Sequence, residues 1–348
     1  MSYSTIDKPT DYFNNKLFTG NGGTNAITGV GFQPDFTWIK NRSRVEDNVL
    51  YDAVRGVTKR LESNTTDAED TKSNGLTAFG TDGFTVGSAG QSNYNGDNIA
   101  SWNWKAGTGQ GSSNTDGSIN TTYTSANTTA GFSISKYTGT GSNATIGHGL
   151  GVAPNVIITK QLTGTQQWNF QNSMMGYSQY MALNTTEPSQ ATGGAIISSV
   201  SSTTYSCDGN SVVNAGSGST YIAYCFAEKK GYSKFGKYTG NGNADGTFVY
   251  LGFKPAFILM KRTDTGNSYD DWFIFDNKRD GFNPNNKKIA PNESSVESSD
   301  TGLYDLLSNG FKLRTNNSNN NGSGGNFIYM AFAEAPLVGT NNIPCTAR

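Results

Sequence analysis

The chain has few of the residues on which most catalytic and metal centres depend. It contains one histidine, His148, and three cysteines, Cys207, Cys225 and Cys345. A Ser–His–Asp or Cys–His mechanism would have to use His148, and a zinc site would need it together with several further ligands. The cysteines are odd in number and lack metal-ligand spacing, which argues against a disulfide framework and favours small buried residues. We therefore predict no enzyme activity, no catalytic residue, no metal site and no cofactor.

Charge is also scarce, and its two signs are balanced. Charged residues make up 15% of the chain, with 26 Lys plus Arg against 27 Asp plus Glu. Nucleic-acid-binding proteins usually carry a basic stripe, so we predict no nucleic-acid partner. No run approaches the roughly 20 apolar residues of a membrane helix, and residues 1–11 are polar, unlike a signal peptide. The sequence predicts a protein that is made in a cytoplasm and does not insert into a membrane.

Glycine is abundant, with 43 copies, and Asn, Ser and Thr are frequent. Short apolar runs alternate with clusters of these turn-forming residues, a pattern that is typical of β-structure with many turns. The plausible helical segments are short. An all-β fold is the prediction.

One ten-residue phrase occurs three times, as GFQPDFTWIK (residues 31–40), GVAPNVIITK (151–160) and GFKPAFILMK (252–261). The proline in each copy lacks a backbone donor and has a fixed φ, so it suits the turn at the start of a strand. The residues after it are mostly β-branched, aromatic or aliphatic, as in buried strands. Each copy therefore predicts a buried strand whose final lysine returns the chain to water.

Two further phrases flank each copy. TGNG or TGTG begins 15, 16 and 16 residues before the three prolines, and an alternating apolar stretch follows at residues 100–106, 221–228 and 327–334. The repeat is too long for a solenoid or a propeller blade and is near the size of a β-sandwich with its own core. We predict three tandem β-sandwich repeats, jelly-roll or lectin-like, of about 100 residues each.

The predicted boundaries follow from these phrases. They are an N-terminal lead or anchor (1–11), repeat 1 (12–107), a linker (108–130), repeat 2 (131–230), repeat 3 (231–336) and a C-terminal tail (337–348). Residues 108–130 are rich in Gly, Ser, Thr and Asn and contain almost no large apolar side chain, so they form a linker or an arm held by neighbours.

Four carboxylates at strand ends invite comparison with glycosidases, which use a pair of acidic residues. Asp52 and Asp276 follow apolar strands at comparable places, and Glu228 and Glu334 end the closing strands of repeats 2 and 3. Because the repeat architecture sets these positions, the simpler interpretation is structural: strand-end residues that meet a lysine or a turn amide.

Polar loops remain as candidates for sugar or protein contacts, since flat aromatic rings and amides suit polar ring ligands. The candidate contact residues are Gln91, Asn93, Tyr94, Asn95, Asn316, Asn317 and Asn319. The alternative is that these loops are solvated connections.

Several stretches carry a resemblance to known proteins: YFNNKLFTGNG, ITGVGFQPDFTWIKNRS, LYDAVRGVTKRLESNTTDAE, the strand ending FAE and the terminal GTNNIPCTAR. They resemble a repeat family of structural proteins of tailed bacteriophages, especially marine and cyanobacterial phages, often labelled tail fibre proteins. The resemblance covers nearly the whole chain and carries no catalytic residues. It implies a virion surface protein, assembled in the host cytoplasm, that contacts other virion proteins and forms homo-oligomers, with a trimer favoured. Repeat 2 lacks the YDAVRG run.

Three functions stay open at this point. The favoured one is a tail fibre or adhesin that attaches to a glycan or protein on the host surface, because variable polar loops stand on a repeated scaffold. The second is a capsid or tail decoration or connector protein without a receptor, which would show its largest apolar patch away from the loop tips. The third is a glycan depolymerase, which would need two carboxylates about 5–10 Å apart in a groove.

Overall fold

The computed structural model describes residues 4–191, 196–216, 218–268, 270–339 and 344–346. Nearly all regular structure in these residues is antiparallel β-sheet, which confirms the all-β prediction. Across the described ranges, helix is limited to a 3₁₀ turn (Pro9–Asp11) and two single-turn helices, α1 (Gly90–Asn93) and α2 (Ser318–Asn321). Parts of the predicted lead and tail, residues 1–3, 340–343 and 347–348, lie outside the described residues.

The strands fall into three groups, which we call section 1 (residues 12–107), section 2 (108–230) and section 3 (231–336). Section 1 contains β1 (Phe13–Thr19), β2 (Asn25–Thr28), β3 (Phe36–Asn41), β4 (Val49–Asp52), β5 (Lys59–Glu62), β6 (Asp70–Thr71), β7 (Leu76–Gly80), β8 (Gly83–Val86) and β9 (Asn98–Trp104). Section 2 contains β10 (Tyr123–Asn127), β11 (Phe132–Thr138), β12 (Ala144–Gly147), β13 (Val156–Gln161), β14 (Asn169–Asn172), β15 (Gln179–Ala182), β16 (Gln190–Ala191), β17 (Ile197–Val200), β18 (Thr204–Cys207) and β19 (Thr220–Phe226). Section 3 contains β20 (Ser233–Thr239), β21 (Phe248–Tyr250), β22 (Phe253–Arg262), β23 (Phe273–Asp276), β24 (Asn285–Lys288), β25 (Ser298–Leu307), β26 (Gly310–Leu313) and β27 (Asn326–Pro336).

Each section has one large and one small sheet. In the large sheets the strand orders are β1-β9-β3-β4-β5-β6, β10-β11-β19-β13-β14-β15-β16 and β20-β27-β22-β23. All three contain the same arrangement. The strand that ends the section, which we call the closing strand (β9, β19 or β27), lies between the decapeptide strand (β3, β13 or β22) and the strand that carries the start of the TGNG or TGTG phrase (β1, β11 or β20). The small sheets are β2-β8-β7, β12-β18-β17 and β21-β26-β25-β24.

The decapeptides form β3, β13 and nearly all of β22. As the phrase predicts, β3 and β13 begin just after the proline, whereas β22 begins at Phe253 and contains Pro255. After the proline, their side chains alternate between two cores, because successive residues of a strand point to opposite faces. In section 3, Phe257 and Leu259 point to a core shared with the other sections, while Ile258 and Met260 point to the small sheet. The prediction that the final lysine returns to water is wrong: Lys40, Lys160 and Lys261 are fully buried.

The segment 108–130 is an ordered arm of section 2. Its strand β10 pairs with β11 at the edge of the large sheet, and Ile119 is buried and bridges Ile146 at the edge of the small sheet. The arm begins at the buried carboxylate of Asp35, which accepts the N–H groups of Thr108 (3.0 Å) and Gly109 (2.6 Å). Neighbouring strands thus supply the burial that the composition of the arm cannot.

The largest hydrophobic core belongs to all three sections. At its centre lie Trp104, Phe226 and Phe332, one from the closing strand of each section, with ring centroids 6.5, 5.6 and 5.9 Å apart. These rings help to line an apolar cavity of about 20 Å³. Each section also has a smaller core between its two sheets. The sections therefore pack large sheet to large sheet around a common axis.

Backbone hydrogen bonds join the sections cyclically. The donor of each bond is the residue directly before β6, β16 or β25, and the acceptor is the carbonyl of the residue two beyond the decapeptide lysine of another section. The three bonds are Glu69 N to Leu162 O (2.9 Å), Ser189 N to Thr263 O (2.9 Å) and Glu297 N to Arg42 O (3.3 Å). They connect section 1 to 2, 2 to 3 and 3 to 1, so equivalent contacts close into a ring, as in a cyclic trimer.

The buried lysines reinforce the same junctions. Each Nζ donates a hydrogen bond to a backbone carbonyl of a neighbouring section: Lys40 to Ser294 of section 3 (2.9 Å), Lys160 to Thr66 of section 1 (3.0 Å) and Lys261 to Thr186 of section 2 (2.9 Å). Burial lowers the pKa of each lysine to about 8, and nearby carboxylates oppose that shift. Each lysine therefore joins two sections, and none of the three forms an ion pair with the residues that the structure describes.

These pKa values predict a specific pH dependence of stability. Lys160 has a folded pKa of about 8, below the roughly 10.4 of an unfolded lysine. Between these values the unfolded chain binds more protons, so the lysine makes the free energy of unfolding rise with pH. We expect wild type to gain up to about 3 kcal/mol relative to Lys160→Met between pH 8 and 10.5, measured by urea unfolding. Lys278→Met is the control for loss of an exposed lysine, and a difference from Lys160→Met that stays constant with pH would contradict the interpretation.

Candidate functional site

Two of the predicted carboxylates lie in buried ion pairs at section junctions. Asp52 Oδ2 accepts hydrogen bonds from Arg55 Nε (2.5 Å) and from the hydroxyl of Tyr224 in section 2 (2.7 Å). Asp276 Oδ2 accepts from Arg279 Nε (2.6 Å) and from Trp102 Nε1 of section 1 (3.0 Å). Burial alone would raise the pKa of Asp276, but the charge and hydrogen bonds of Arg279 outweigh burial and hold it below its usual value. Both carboxylates join sections and neither is open to a ligand.

The junction of sections 2 and 3 replaces this ion pair with neutral side chains. Asn172 Oδ1 accepts the N–H of Met175 (3.0 Å), just as Asp52 Oδ1 accepts that of Arg55 (2.8 Å). The strand register places Met330 at the position of Tyr224, and methionine has no hydrogen to donate. The acid, its arginine and the neighbouring donor are therefore absent together at this junction.

Glu228 and Glu334 have local partners. Glu228 Oε2 accepts the N–H of Phe235 (3.3 Å). Glu334 Oε2 accepts from Asn277 Nδ2 (2.7 Å), and its Oε1 lies 3.4 Å from Lys254 Nζ. Glu228 lies two residues past the end of β19 and Glu334 lies within β27, and the partners of both are a backbone amide or neighbouring side chains, in agreement with the structural interpretation.

His148 and two cysteines are also buried. His148 Nδ1 accepts the N–H of Leu150 (3.2 Å) and Nε2 lies 3.3 Å from the carbonyl oxygen of Ser201, so the proton is on Nε2. Burial lowers the histidine pKa and raises the pKa of the Cys207 and Cys225 thiols to about 12. Burial therefore favours the neutral form of all three side chains, the form in which a side chain packs in a protein interior.

The predicted contact residues lie in the loops that precede the closing strands of sections 1 and 3, and we call these loops and the equivalent loop of section 2 the tips. The contact role predicted for Asn93 is wrong. Asn93 is fully buried: its Oδ1 accepts the N–H of Asn21 (2.9 Å), and its Nδ2 donates to the carbonyls of Gly23 (2.6 Å) and Gly87 (2.7 Å). Asn214 and Asn321 hold the TGTG and TGNG turns of the other sections through equivalent bonds to Thr140 N (2.8 Å) and Asn241 N (3.1 Å). These asparagines fix the tips from inside.

The remaining predicted residues are more accessible. Asn95 and Asn316 are exposed, while Gln91, Asn317 and Asn319 are half-buried. Asn317 caps α2 by accepting the N–H of Asn319 (3.0 Å), which makes its role at least partly structural. No described hydrogen bond joins the tips of sections 1 and 3, so the structure does not bring the two sets of residues into one site.

The tip of section 1 carries the most organised exposed group among these residues. Tyr94 is 44% exposed, and the guanidinium carbon of Arg44 lies 3.5 Å from the centroid of its ring. Arg44 Nε donates to Asp97 Oδ2 (2.6 Å), which also accepts from the buried Asn41 Nδ2 (2.8 Å). Tyr94, Arg44 and Asp97 thus form a rigid aromatic, cationic and acidic cluster at the surface, which we call the Tyr94 cluster.

Sequence reasoning found Tyr94 and missed its partners. Arg44 and Asp97 are far from each other along the chain, and only the pairing of β3 with β9 brings them together. We call Asn93, Asn214 and Asn321, which hold the TGNG and TGTG turns, the latch asparagines. Sequence reasoning could have found Asn214 and Asn321, because each lies shortly before its closing strand, as Asn93 does.

In the parts of the chain that the structure describes, no helix is long and apolar enough to cross a bilayer. Within the same residues, no group of three or more His, Cys, Asp or Glu side chains is placed to hold a metal ion.

Comparison with known proteins gives a single assignment. No curated protein and no solved structure matches the chain. One family, described as a domain of unknown function (DUF7483), matches residues 8–336, a range that spans all three sections. Because this match covers almost the whole chain, the protein belongs to the DUF7483 family.

Proposed function

We propose that the protein is a structural component of the virion surface of a tailed bacteriophage and that it attaches the particle to its host, without enzymatic activity. The repeated phrases and the terminal GTNNIPCTAR, which resemble phage structural proteins, support this proposal. Its partners would be other virion proteins and a glycan or protein on the host surface. The resemblance suggests a homotrimer, which stays a prediction. The ring of three sections described above lies within one chain and is separate from any association between chains.

The arrangement of the tips is the observation that carries the proposal. Equivalent contacts close the three sections into a ring, so the loops held by Asn93, Asn214 and Asn321 occupy equivalent positions in it. Binding residues of many proteins lie on loops of a rigid scaffold, and a repeated set of polar loops offers several contacts to one surface.

A decoration or connector role is the second candidate, and Phe282 favours it. This side chain is 68% exposed, in the loop that follows the buried Asp276–Arg279 pair. That loop adjoins the C-terminal end of β23, whereas the tip loops precede the closing strands. An exposed phenylalanine away from the tips is suited to a protein partner on the particle.

Cell binding separates the two candidates. We expect the labelled full-length protein to bind susceptible host cells and to block adsorption of its phage, because it would occupy the same receptor. Phe282→Ser serves as the matched variant and should bind cells as wild type does. Folded wild-type protein that ignores host cells but binds phage particles, with binding lost in Phe282→Ser, would contradict the attachment proposal and establish the decoration role.

A further inference from the structure

The Tyr94 cluster holds a guanidinium in one orientation at the surface. Stacking on Tyr94 fixes the plane of the Arg44 guanidinium, and the bond from Nε to Asp97 fixes its rotation within that plane. Asp97 is only 11% exposed in its side chain and is itself held by the fully buried Asn41. Tyr94 and Asp97 therefore hold the arginine directly, and Asn41 in turn holds Asp97. Binding groups are pre-organised by supporting residues of this kind.

The ring does not need this cluster. Counting from the decapeptide lysines, the counterparts of Arg44 are Gly164 in section 2 and Thr265 in section 3. Counting from the latch asparagines, the counterparts of Tyr94 are Ala215 and Gly322. Section 3 uses a different arginine, Arg262, which pairs with Asp264 (2.8 Å) and donates to the carbonyl of Ser318 (3.0 Å). Section 2 has neither an arginine nor an aromatic residue at the counterpart positions, so closing a tip does not require the cluster of section 1.

The outward end of the arginine defines the ligand chemistry. Arg44 is 45% exposed in its side chain, and its two terminal nitrogens have no hydrogen-bond acceptor among the described residues. Parallel N–H groups of a guanidinium match the two oxygens of a carboxylate, and the pair is stronger than a neutral hydrogen bond. Asn95 is exposed next to Tyr94 and supplies an amide for a hydroxyl group.

We infer that the Tyr94 cluster is a binding site for a sugar that carries a carboxylate, with Arg44 on the carboxylate and Asn95 on a neighbouring hydroxyl. Glu46, on the same loop, and Asp97 oppose a dense run of negative charge, so a glycan with isolated carboxylates fits better than a polyanion. This inference rests on the proposed attachment function, because it names the chemistry of the host glycan.

The test uses the full chain and two oligosaccharides of equal length, one containing hexuronic acid and one made neutral by reduction of its carboxyl groups. We expect wild type to bind the acidic oligosaccharide and to bind the neutral one at least about tenfold more weakly. Arg44→Gln should lose that preference, and Arg44→Lys should retain little of it, because lysine cannot form the paired bonds. Arg314→Gln, at a surface arginine of similar exposure (44%), is the matched control and should bind as wild type does.

Two results would overturn the inference: equal binding of the acidic and neutral oligosaccharides by wild type, or an Arg44→Gln variant that is folded and binds as wild type does. If wild type fails to bind the acidic oligosaccharide but binds host cells, this site inference fails while the attachment proposal stands. If wild type binds the acidic oligosaccharide through Arg44 but does not bind host cells, the site stands and the attachment proposal fails.

Discussion

Replacing Arg55 with methionine is expected to lower the free energy of unfolding by about 3–5 kcal/mol, because it leaves the buried carboxylate of Asp52 without its counter-ion. Both side chains are fully buried. Arg55 also donates to the carbonyls of Leu50 (3.0 Å) and Lys59 (2.9 Å), so two acceptors lose their partner as well. Equilibrium urea unfolding measures the loss.

The chain provides its own control for this prediction. Asp52→Asn with Arg55→Met copies Asn172 and Met175, and adding Tyr224→Met copies Met330. This triple variant gives the junction of sections 1 and 2 the three neutral side chains that section 2 already shares with section 3. Glu69, which also pairs with Arg55 (3.2 Å), keeps its charge, but its side chain is 16% exposed to water. Replacing a whole buried ion pair by neutral groups costs far less than breaking it. We expect recovery of at least half of the loss, and a triple variant no more stable than Arg55→Met alone would refute the interpretation.

The second large effect concerns the common axis. Phe332→Ala removes a ring that contacts Trp104 and Phe226 of the other two sections, and we expect a loss of about 3–5 kcal/mol. Three of the five tryptophans, Trp38, Trp102 and Trp104, lie in section 1, so fluorescence reports mainly on a section whose own residues the mutation leaves unchanged. The fluorescence and circular dichroism midpoints should shift together to lower urea.

Independent sections would behave differently. In that case Phe332→Ala would destabilise section 3 and leave the fluorescence midpoint near its wild-type value. Phe311→Ala is the matched variant, because it removes the same side chain from the core that section 3 has to itself. If the ring unfolds as one unit, this variant also shifts both signals.

Local patterns predicted the strands well. Proline, a β-branched or aromatic run and a closing lysine mark β3, β13 and β22 in the sequence. The same patterns misplaced the decapeptide lysines. Their acceptors, Ser294, Thr66 and Thr186, belong to other sections, and nothing within the decapeptide records them.

The site shows the same division between local and non-local information. Tyr94 stood out as an aromatic residue in a polar loop, but its neighbour Asn93 looked equally accessible. Only the hydrogen bonds to Asn21, Gly23 and Gly87 show that Asn93 is an internal latch. Arg44 carried no local signal, since a lone surface arginine is usually a solvated charge.

The central claim is that the three sections form one cooperative ring, and native-state hydrogen exchange tests it most directly. Exchange of the slowest amides measures the free energy of the opening that exposes them. We predict that the slowest amides of β9, β19 and β27 share one free energy of exchange and one dependence on urea concentration. A closing strand that exchanges through its own opening, with a clearly lower free energy and a smaller urea dependence than the other two, would contradict the claim.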